Sequence, residues 1–387
     1  GHPEIFADFR KANARKFRGF MAPENNIKAV EAAVNSASFD EGLKAERKLF
    51  GELMTGPQSA NQRYYFFAER QAQKIPDVPD DTPIRPIKKV GIIGAGTMGG
   101  GIAMNFANVG IPVVLVETQQ AALDRGLAVV RKNYENSAKR GRFTTEQVEQ
   151  RMALLTGSLQ MEALADCDLV IEAVFENMAV KKEIFGTLDR ICKPGAVLAT
   201  NTSALDVNEI ASAATSRPEA VVGMHFFSPA NVMKLLEVVR GEKTSATALA
   251  TAMQIAKKIG KVAAVSGVCP GFIGNRILAA RSAQAQAMVL EGAMPWDIDQ
   301  VLYDFGLPMG PFAMSDLAGL DIGWSKETSK GATIRERLCE MDRRGQKNGA
   351  GYYDYAVVDG TRTAQPSEVT RGIIRDLMGE QGKVARA

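Results

Sequence analysis

A glycine-rich segment after a short apolar run constrains the fold of this chain more than any other feature. In "KVGIIGAGTMGGGIA", Gly94, Gly96 and Gly99 have the spacing GxGxxG, and the predicted helix that follows begins with Thr97 and Met98. Glycines at these positions permit a tight turn, a close approach of the backbone to a pyrophosphate, and close packing of helix on strand. The free N–H groups of the helix N-terminus attract phosphate. The segment therefore predicts a βα unit that binds a dinucleotide.

A carboxylate closes the next predicted strand. Glu117 ends the run "VVLVE", where an acid can accept hydrogen bonds from the adenosine ribose. The same charge repels the 2′-phosphate of NADP. NAD is therefore the expected cofactor, and a glycine-rich turn that holds no ligand is the alternative interpretation.

Apolar runs alternate with helical segments over residues 88–268. The runs are "VGIIGAG", "PVVLVE", "LVIEAV", "AVLATN", "AVVGMHF" and "KVAAVSG". Strands and helices in alternation predict the α/β class, with a Rossmann-type, doubly wound and mostly parallel sheet covered by helices on both faces. We assign these residues to an NAD-binding domain.

The flanking regions have different patterns. Residues 1–75 show helical periodicity, as in "FDEGLKAERKLFGELM" and "SANQRYYFFAERQAQKI". Residues 76–87 are rich in proline and aspartate, which predicts an extended linker. Residues 269–387 are predicted to form an all-α C-terminal domain without further strand pairs.

Composition excludes several classes of protein. The formal net charge of +3 is too small for a nucleic-acid binder. No apolar run approaches the roughly 20 residues that cross a bilayer, and the N-terminus lacks the apolar core of a secretion signal. The four cysteines are scattered, which argues against a disulfide framework and a metal site. We expect no membrane span, no secretion, and a reducing location, either the cytoplasm of a bacterium or a peroxisome.

One histidine stands out in a chain that has only two. His225 lies in "GMHFFSPANVMKLLEVV", at the end of a predicted strand, and Glu237 follows it. A core histidine bonded to a backbone carbonyl is the simpler interpretation. Because the cofactor binds at the carboxyl ends of the strands, a functional role is favoured.

Further polar residues follow the other predicted strands. Glu176 lies in a loop after a strand, and Lys181 lies at the start of the next helix, although a solvated helix face is the alternative. Asn201 and Ser203 follow another strand, and an N-cap cluster is the alternative there. Asn275, in "CPGFIGNR", opens the helical region.

Six segments in order strongly resemble the L-3-hydroxyacyl-CoA dehydrogenase family. They are "GIIGAGTMGGGIA", "IEAVFENMAVKKEIF", "TNTSAL", "HFFSPANVMKLLEV", "PGFIGNR" and "GLPMGPFAMSDLAGLD". The N-terminal helices look like the end of the enoyl-CoA hydratase/isomerase half of multifunctional β-oxidation enzymes, of the peroxisomal or a related bacterial type. The resemblance implies the dehydrogenase part of such an enzyme, truncated at both ends, and no hydratase activity from this chain.

The resemblance also implies roles for individual residues. His225 would be the general base and Glu237 its orienting carboxylate, while Ser203 would bond the substrate's 3-hydroxyl and Asn275 would fix substrate and imidazole. Imidazole titrates near neutral pH, so it can take up the proton of a secondary alcohol. The reaction implied is NAD-dependent oxidation of an L-3-hydroxyacyl-CoA in fatty acid β-oxidation.

The remaining implied roles concern cofactor and assembly. Glu176, Lys181 and Asn201 would lie on the nicotinamide side. An acyl-CoA is the implied substrate, and homodimerisation through residues 270–330 is expected because an unpartnered helix face rich in Ala, Met and Leu would otherwise be exposed. Ser228 and Val268 depart from the family pattern near the substrate end, which leaves the acyl chain length open.

Two other functions stay open from the sequence. One is a β-hydroxyacid dehydrogenase acting on a small free acid, although such enzymes usually rely on a lysine of the helical domain. The other is an NAD-binding scaffold that has lost catalysis. Lys257, Lys258 and Lys261 could attract CoA phosphates or could form a solvated helix end.

Overall fold

The computed structural model describes residues 4–214, 216–358 and 361–385. His2 therefore lies outside the described residues. The first helices are α1 (Glu4–Phe17), α2 (Met21–Asn35), α3 (Phe39–Thr55) and α4 (Pro57–Ala72). The two sequence segments that predicted helices in this region coincide with α3 and α4. No helix or strand lies between α4 and the first strand of the sheet.

The central region alternates strands and helices, as the sequence predicts. Its elements are β1 (Val90–Ile93), α5 (Thr97–Ala107), β2 (Val113–Val116), α6 (Gln120–Lys139), α7 (Thr145–Met152), β3 (Leu155–Ser158), β4 (Leu169–Glu172), α8 (Met178–Ile191), β5 (Val197–Thr200), α9 (Val207–Ala211), β6 (Val221–Phe226), β7 (Leu235–Arg240), α10 (Ala246–Lys258) and β8 (Val262–Gly267).

These strands form one sheet in the order β3-β2-β1-β4-β5-β6-β7-β8. All neighbours are parallel except β6 and β7, which are antiparallel. The strand order reverses at β1, which lies between β2 and β4. In such sheets the ligand crevice lies beyond the carboxyl ends of the strands at this reversal. The predicted doubly wound, mostly parallel sheet is confirmed.

Each face of the sheet has its own hydrophobic core because successive strand residues point to opposite sides. Leu115 packs in a cluster with residues of α5, α6 and α10, such as Phe106. The preceding residue, Val114, packs in a second cluster with α8 and α9, including Phe185. Strand residues that point to either face of the sheet are buried, which explains the continuous apolar runs of β1, β2 and β4.

The C-terminal region consists mainly of helices. Its elements are α11 (Gly274–Val289), α12 (Pro295–Phe305), α13 (Pro311–Ala318), α14 (Ile334–Glu340), β9 (Tyr353–Val358), β10 (Thr361–Pro366) and α15 (Glu368–Glu380). The helical character is confirmed, with one exception. The antiparallel pair of β9 and β10 was not expected, although the dipeptide "DG" between them, which lies outside the described residues, is typical of a tight hairpin.

The chain divides into two compact units. One comprises residues 61–276 and contains the eight-stranded sheet. The other joins residues 1–60 to residues 277–387 and has a separate core, which includes Phe312, Leu338 and Tyr352. Within this second unit Arg18 donates a hydrogen bond to the carbonyl of Leu307 (3.0 Å). N-terminal and C-terminal helices thus share one unit.

Two other properties of the described residues bear on the class of protein. No helix among them is both long enough and apolar enough to span a bilayer. All four cysteines are free thiols, and three of them are buried.

Candidate active site

The glycine-rich turn between β1 and α5 requires glycine at two positions. Gly94 has a φ of +98°, and a Cβ atom there would lie 2.7 Å from the carbonyl oxygen of Ala173. A Cβ atom on Gly99 would lie 1.8 Å from the carbonyl oxygen of Gly94. Side chains at either position would therefore displace the turn or the helix.

The third glycine has a different role. Gly96 precedes the first turn of α5, and no atom beyond its two neighbours in the chain lies within 4 Å of the position that its Cβ would occupy. The space before the free N–H groups of Thr97 and Met98 is thus open, which suits a phosphate group. This cradle fits the pyrophosphate of a dinucleotide.

Glu117 lies directly beside this turn. Its carboxylate accepts hydrogen bonds from the backbone N–H of Ala95 (3.1 Å) and of Thr118 (2.8 Å). The carboxylate is thereby fixed at the end of β2, next to the glycines, where an adenosine ribose would lie in this type of fold. The residues present therefore fit NAD.

His225 and Glu237 are brought together by strand pairing. They stand directly opposite each other in the antiparallel ladder of β6 and β7. The imidazole Nδ1 lies 2.7 Å from Oε2 of Glu237, and the two side chains are 7% and 0% exposed. The other carboxylate oxygen accepts hydrogen bonds from the backbone N–H groups of Ile273 (3.0 Å) and Gly274 (2.6 Å).

These bonds determine the charge of the pair. Burial alone would raise the pKa of Glu237, but the hydrogen bonds from His225 and from the Gly274 amide outweigh it and hold the pKa below its ordinary value. An ionised carboxylate accepts from Nδ1–H, so the second ring nitrogen, Nε2, is left as the basic one. No hydrogen bond to Nε2 is found among the described residues, which leaves it available to a substrate.

Two phenylalanine rings enclose the imidazole. The ring of Phe227 lies 4.5 Å from that of His225, and the ring of Phe272 lies 5.7 Å away. Phe272 has a φ of +46°, a strained backbone conformation for a bulky residue. The turn at Phe272 directs the next two N–H groups, those of Ile273 and Gly274, to Glu237. Sequence reasoning missed this residue because left-handed backbone at phenylalanine has no sequence signal.

Glu176 organises the loop that follows β5. Its Oε1 accepts hydrogen bonds from the hydroxyl of Thr202 (2.6 Å), the backbone N–H of Ser203 (2.8 Å) and the N–H of Ala204 (3.0 Å). The Ser203 hydroxyl also donates to it, at 3.3 Å. Burial would raise the pKa of Glu176, but the bond from Thr202 and the charge of Lys181 outweigh this effect and lower it. The structure therefore brings Glu176 and Ser203 together.

Asn201 connects this loop to the histidine strand. Its side-chain oxygen accepts a hydrogen bond from the backbone N–H of Phe226 (2.8 Å), the residue after His225. Asn275 is the second residue of α11 and follows Gly274, which bonds Glu237. The side chain of Asn275 makes no hydrogen bond within the described part of the chain. The four predicted catalytic positions therefore lie on adjacent segments of one unit.

Lys181 is fully buried, so the alternative of a solvated helix face is wrong. Its ammonium lies 2.6 Å from the carboxylate of Glu172 and 3.5 Å from that of Glu176. Glu172, the last residue of β4, was not predicted as a site residue. A buried acid at the end of an apolar strand, in "LVIEAV", is the signal that could have revealed it.

The lysines near the end of α10 have two different environments. Lys257 and Lys258 are exposed, as expected for a solvated helix end. Lys261 is buried, and its ammonium donates hydrogen bonds to the carbonyls of Ala230 (2.6 Å) and Met233 (2.7 Å). Both interpretations of Lys261 from the sequence are therefore wrong, because it stabilises the loop between β6 and β7.

Comparisons with known proteins identify two matching family models. Residues 89–269 match the family model described as "3-hydroxyacyl-CoA dehydrogenase, NAD binding domain", and residues 271–355 match the model of the C-terminal domain of the same family. The peroxisomal bifunctional enzyme of Cavia porcellus is 43% identical over 376 residues, which are 91% of this chain and 51% of that protein. The chain thus spans about half the length of this curated relative.

Two solved structures are also similar. FadB2 of M. tuberculosis superposes with a TM-score of 0.65 at 35% identity, covering 70% of this chain and 100% of that one. The dehydrogenase part of multifunctional enzyme 1 from C. elegans has a TM-score of 0.61 at 33% identity, covering 80% of this chain and 74% of that one.

Proposed function

Because this chain belongs to the 3-hydroxyacyl-CoA dehydrogenase family, we propose that it oxidises an L-3-hydroxyacyl-CoA to the 3-oxoacyl-CoA with NAD, as a step of fatty acid β-oxidation. The observation that carries the proposal is the buried pair of His225 and Glu237, 2.7 Å apart, in the sheet that also carries the dinucleotide turn. An ionised carboxylate behind an imidazole is the arrangement that removes a proton from a hydroxyl group.

In the proposed reaction, Nε2 of His225 accepts the proton of the substrate's 3-hydroxyl. Glu237 stabilises the imidazolium that forms and keeps the ring in the required orientation. The glycine turn and Glu117 would hold NAD, and its chemistry would be to supply the acceptor for the hydride of C3. The hydroxyl of Ser203 and the amide of Asn275 hold the substrate oxygen as it becomes a carbonyl.

The proposed cofactor contacts follow the sheet edge. The backbone of Gly94, Gly96 and Gly99, with the start of α5, would hold the pyrophosphate, and Glu117 would hold the adenosine ribose. The nicotinamide side would be formed by Glu176, Lys181 and Asn201. Lys181 pairs with Glu176 at 3.5 Å, and Glu176 accepts a hydrogen bond from the backbone N–H of Ser203. Asn201 is held separately, by the backbone N–H of Phe226, so each of the three side chains is oriented before the cofactor binds.

Substrate class is the part of the proposal that activity measurements test directly. We expect NAD reduction with 3-hydroxybutyryl-CoA and none with free 3-hydroxybutyrate at the same concentration. Activity on the free acid alone would favour the β-hydroxyacid dehydrogenase. Binding of NADH without turnover of either compound would favour a catalytically silent NAD-binding scaffold.

Location and assembly complete the proposal. The similarity to a peroxisomal bifunctional enzyme supports a peroxisome, with the bacterial cytoplasm as the alternative. Homodimerisation through residues 270–330 is supported by large apolar side chains exposed on α12, among them Val301 (68%) and Phe305 (85%). A second copy of the same surface would cover them.

A further inference from the structure

Glu172 is a buried carboxylate to which the proposed reaction assigns no role. It ends β4, beside β1, at the reversal of the strand order. Its side chain is completely inaccessible to solvent. A buried carboxylate is costly unless several donors compensate for the lost hydration, so its hydrogen bonds show what it holds.

Four hydrogen bonds converge on this one residue. Oε1 accepts from the ammonium of Lys181 (2.6 Å) and from the backbone N–H of Val174 (2.8 Å). Oε2 accepts from the hydroxyl of Thr200 (2.7 Å). The carbonyl oxygen of Glu172 accepts from the backbone N–H of Asn201 (2.8 Å). The residue thus connects the loop after β4, the helix α8 and the end of β5.

Each connected segment carries a residue of the candidate site. Val174 lies in the loop that leads to Glu176, and Lys181 lies on α8. Thr200 and Asn201 lead directly to Ser203. Glu176 then accepts a hydrogen bond from the backbone N–H of Ser203 (2.8 Å), which joins the same two loops a second time.

We propose that Glu172 is a positioning residue: it fixes the two loops after β4 and β5 relative to each other, so that Glu176, Asn201 and Ser203 face the cofactor and the substrate in one geometry. This inference deepens the proposed function and rests on it. The competing explanation is that Glu172 only neutralises the buried charge of Lys181. The bond from Thr200 separates the two, because it joins the loops and carries no net charge.

The first test uses Thr200→Val, which removes the hydroxyl and keeps the side-chain shape. Thr251→Val is the matched control. Thr251 is also buried in the unit that contains the sheet, and its hydroxyl donates a hydrogen bond (2.6 Å) to the carbonyl of Thr247 on the same helix, α10. Glu172→Gln is the second variant. The readouts are the melting temperature, the Kd for NADH, and kcat and KM for reduction of acetoacetyl-CoA.

We expect Thr200→Val to weaken NADH binding and to lower kcat by roughly three- to tenfold, because it removes the hydrogen bond to Glu172 (2.7 Å) and the weaker one that the hydroxyl accepts from the backbone N–H of Thr202 (3.3 Å). Glu172→Gln should lower kcat/KM by about 10- to 100-fold, because small misplacements of catalytic groups are costly. Thr251→Val should affect only the melting temperature, which can fall, and should leave NADH binding and kcat unchanged.

Equal NADH affinity and kcat in Thr200→Val and Thr251→Val would overturn the inference and leave Glu172 as a counterion only. If Glu172→Gln does not fold, the comparison of Thr200→Val with Thr251→Val still distinguishes the positioning role from the counterion role. A wild-type chain that binds NADH but does not reduce acetoacetyl-CoA would contradict the proposed function alone. The NADH affinities of the threonine variants would then continue to test the role of Glu172.

Discussion

At the scale of single residues, the proposed chemistry depends on the hydrogen bond between His225 and Glu237. The pairing of His225 with Glu237 followed from residue type and resemblance, and their bond confirms that the two side chains meet. The burial of Lys181 and Lys261 did not follow, because a lysine near a helix end is usually solvated. Whether a given lysine is buried depends on packing between segments that are distant in the chain, and this packing cannot be read from one sequence.

Glu237→Gln tests how the carboxylate acts. Backbone N–H groups of Ile273 and Gly274 both donate to Oε1, so the oxygen of the new amide must face them. The amide NH₂ then faces Nδ1 of His225 and moves the ring proton to Nε2, which can no longer accept a proton. We expect kcat for oxidation of 3-hydroxybutyryl-CoA to fall on the order of 100- to 10,000-fold.

The control for this variant is its NADH affinity, which we expect to remain at the wild-type value because the dinucleotide turn lies on β1 and α5. A kcat within a factor of about two of the wild type, in a folded protein, would show that the tautomer of His225 does not depend on Glu237.

At the scale of elements, strands formed by uninterrupted apolar runs were predictable, and β3 and β7 were not. The segments that form β1, β2, β4, β5, β6 and β8 were identified as runs of consecutive apolar residues. β3, with the sequence "LTGS", has no strand signal of its own and is formed by pairing with β2. β7 runs antiparallel to β6, and this reversal places Glu237 opposite His225.

The glycine turn predicts opposite behaviour for two similar substitutions. Gly99→Ala would place a methyl group 1.8 Å from the carbonyl oxygen of Gly94, so both the melting temperature and NADH binding should fall. Gly96→Ala meets no atom within 4 Å, so the melting temperature should remain while NADH binding falls by an order of magnitude or more. Calorimetry of both variants tests this, and unchanged NADH affinity in Gly96→Ala would contradict the proposed pyrophosphate site.

The loop between β6 and β7 should make stability depend on pH through Lys261. Burial lowers the pKa of Lys261 to about 8, whereas lysine in an unfolded chain titrates near 10.4. Between these pH values the unfolded chain holds a proton that the folded protein has released, so the free energy of unfolding rises with pH. Relative to Lys261→Met, the wild type should gain up to roughly 3 kcal/mol between about pH 7 and about pH 10.

Urea unfolding at several pH values measures this difference, and the comparison cancels other groups that titrate in the same range. Lys257→Met, at an exposed lysine of α10, is the control and should follow the wild type at every pH. If the curves for wild type and Lys261→Met run parallel, Lys261 has an ordinary pKa in the folded protein.

At the scale of the whole molecule, the sheet and its surrounding helices follow from alternation and from the glycine motif. The grouping of residues 1–60 with residues 277–387 could not be predicted, because it depends on contacts between segments far apart in the chain. Nor was the antiparallel pair of β9 and β10 anticipated, since a helical pattern dominates its surroundings.

The proposed homodimer is a property of the whole molecule as well. Light scattering at micromolar concentration should give about twice the 41.7 kDa of the single chain. Phe305→Arg, which puts a charge on the exposed face of α12, should lower the mass toward that of the monomer without loss of NADH binding. A wild-type chain that is a monodisperse monomer would contradict the proposal.

The central claim is that His225 is the base of an NAD-dependent 3-hydroxyacyl-CoA dehydrogenase. NADH consumption with acetoacetyl-CoA, compared between the wild type and His225→Gln, tests it most directly. We predict turnover by the wild type, a loss on the order of 100- to 10,000-fold in the variant, and NADH binding in both. A variant that retains wild-type turnover would contradict the account, as would a wild-type chain that binds NADH and acetoacetyl-CoA without reaction.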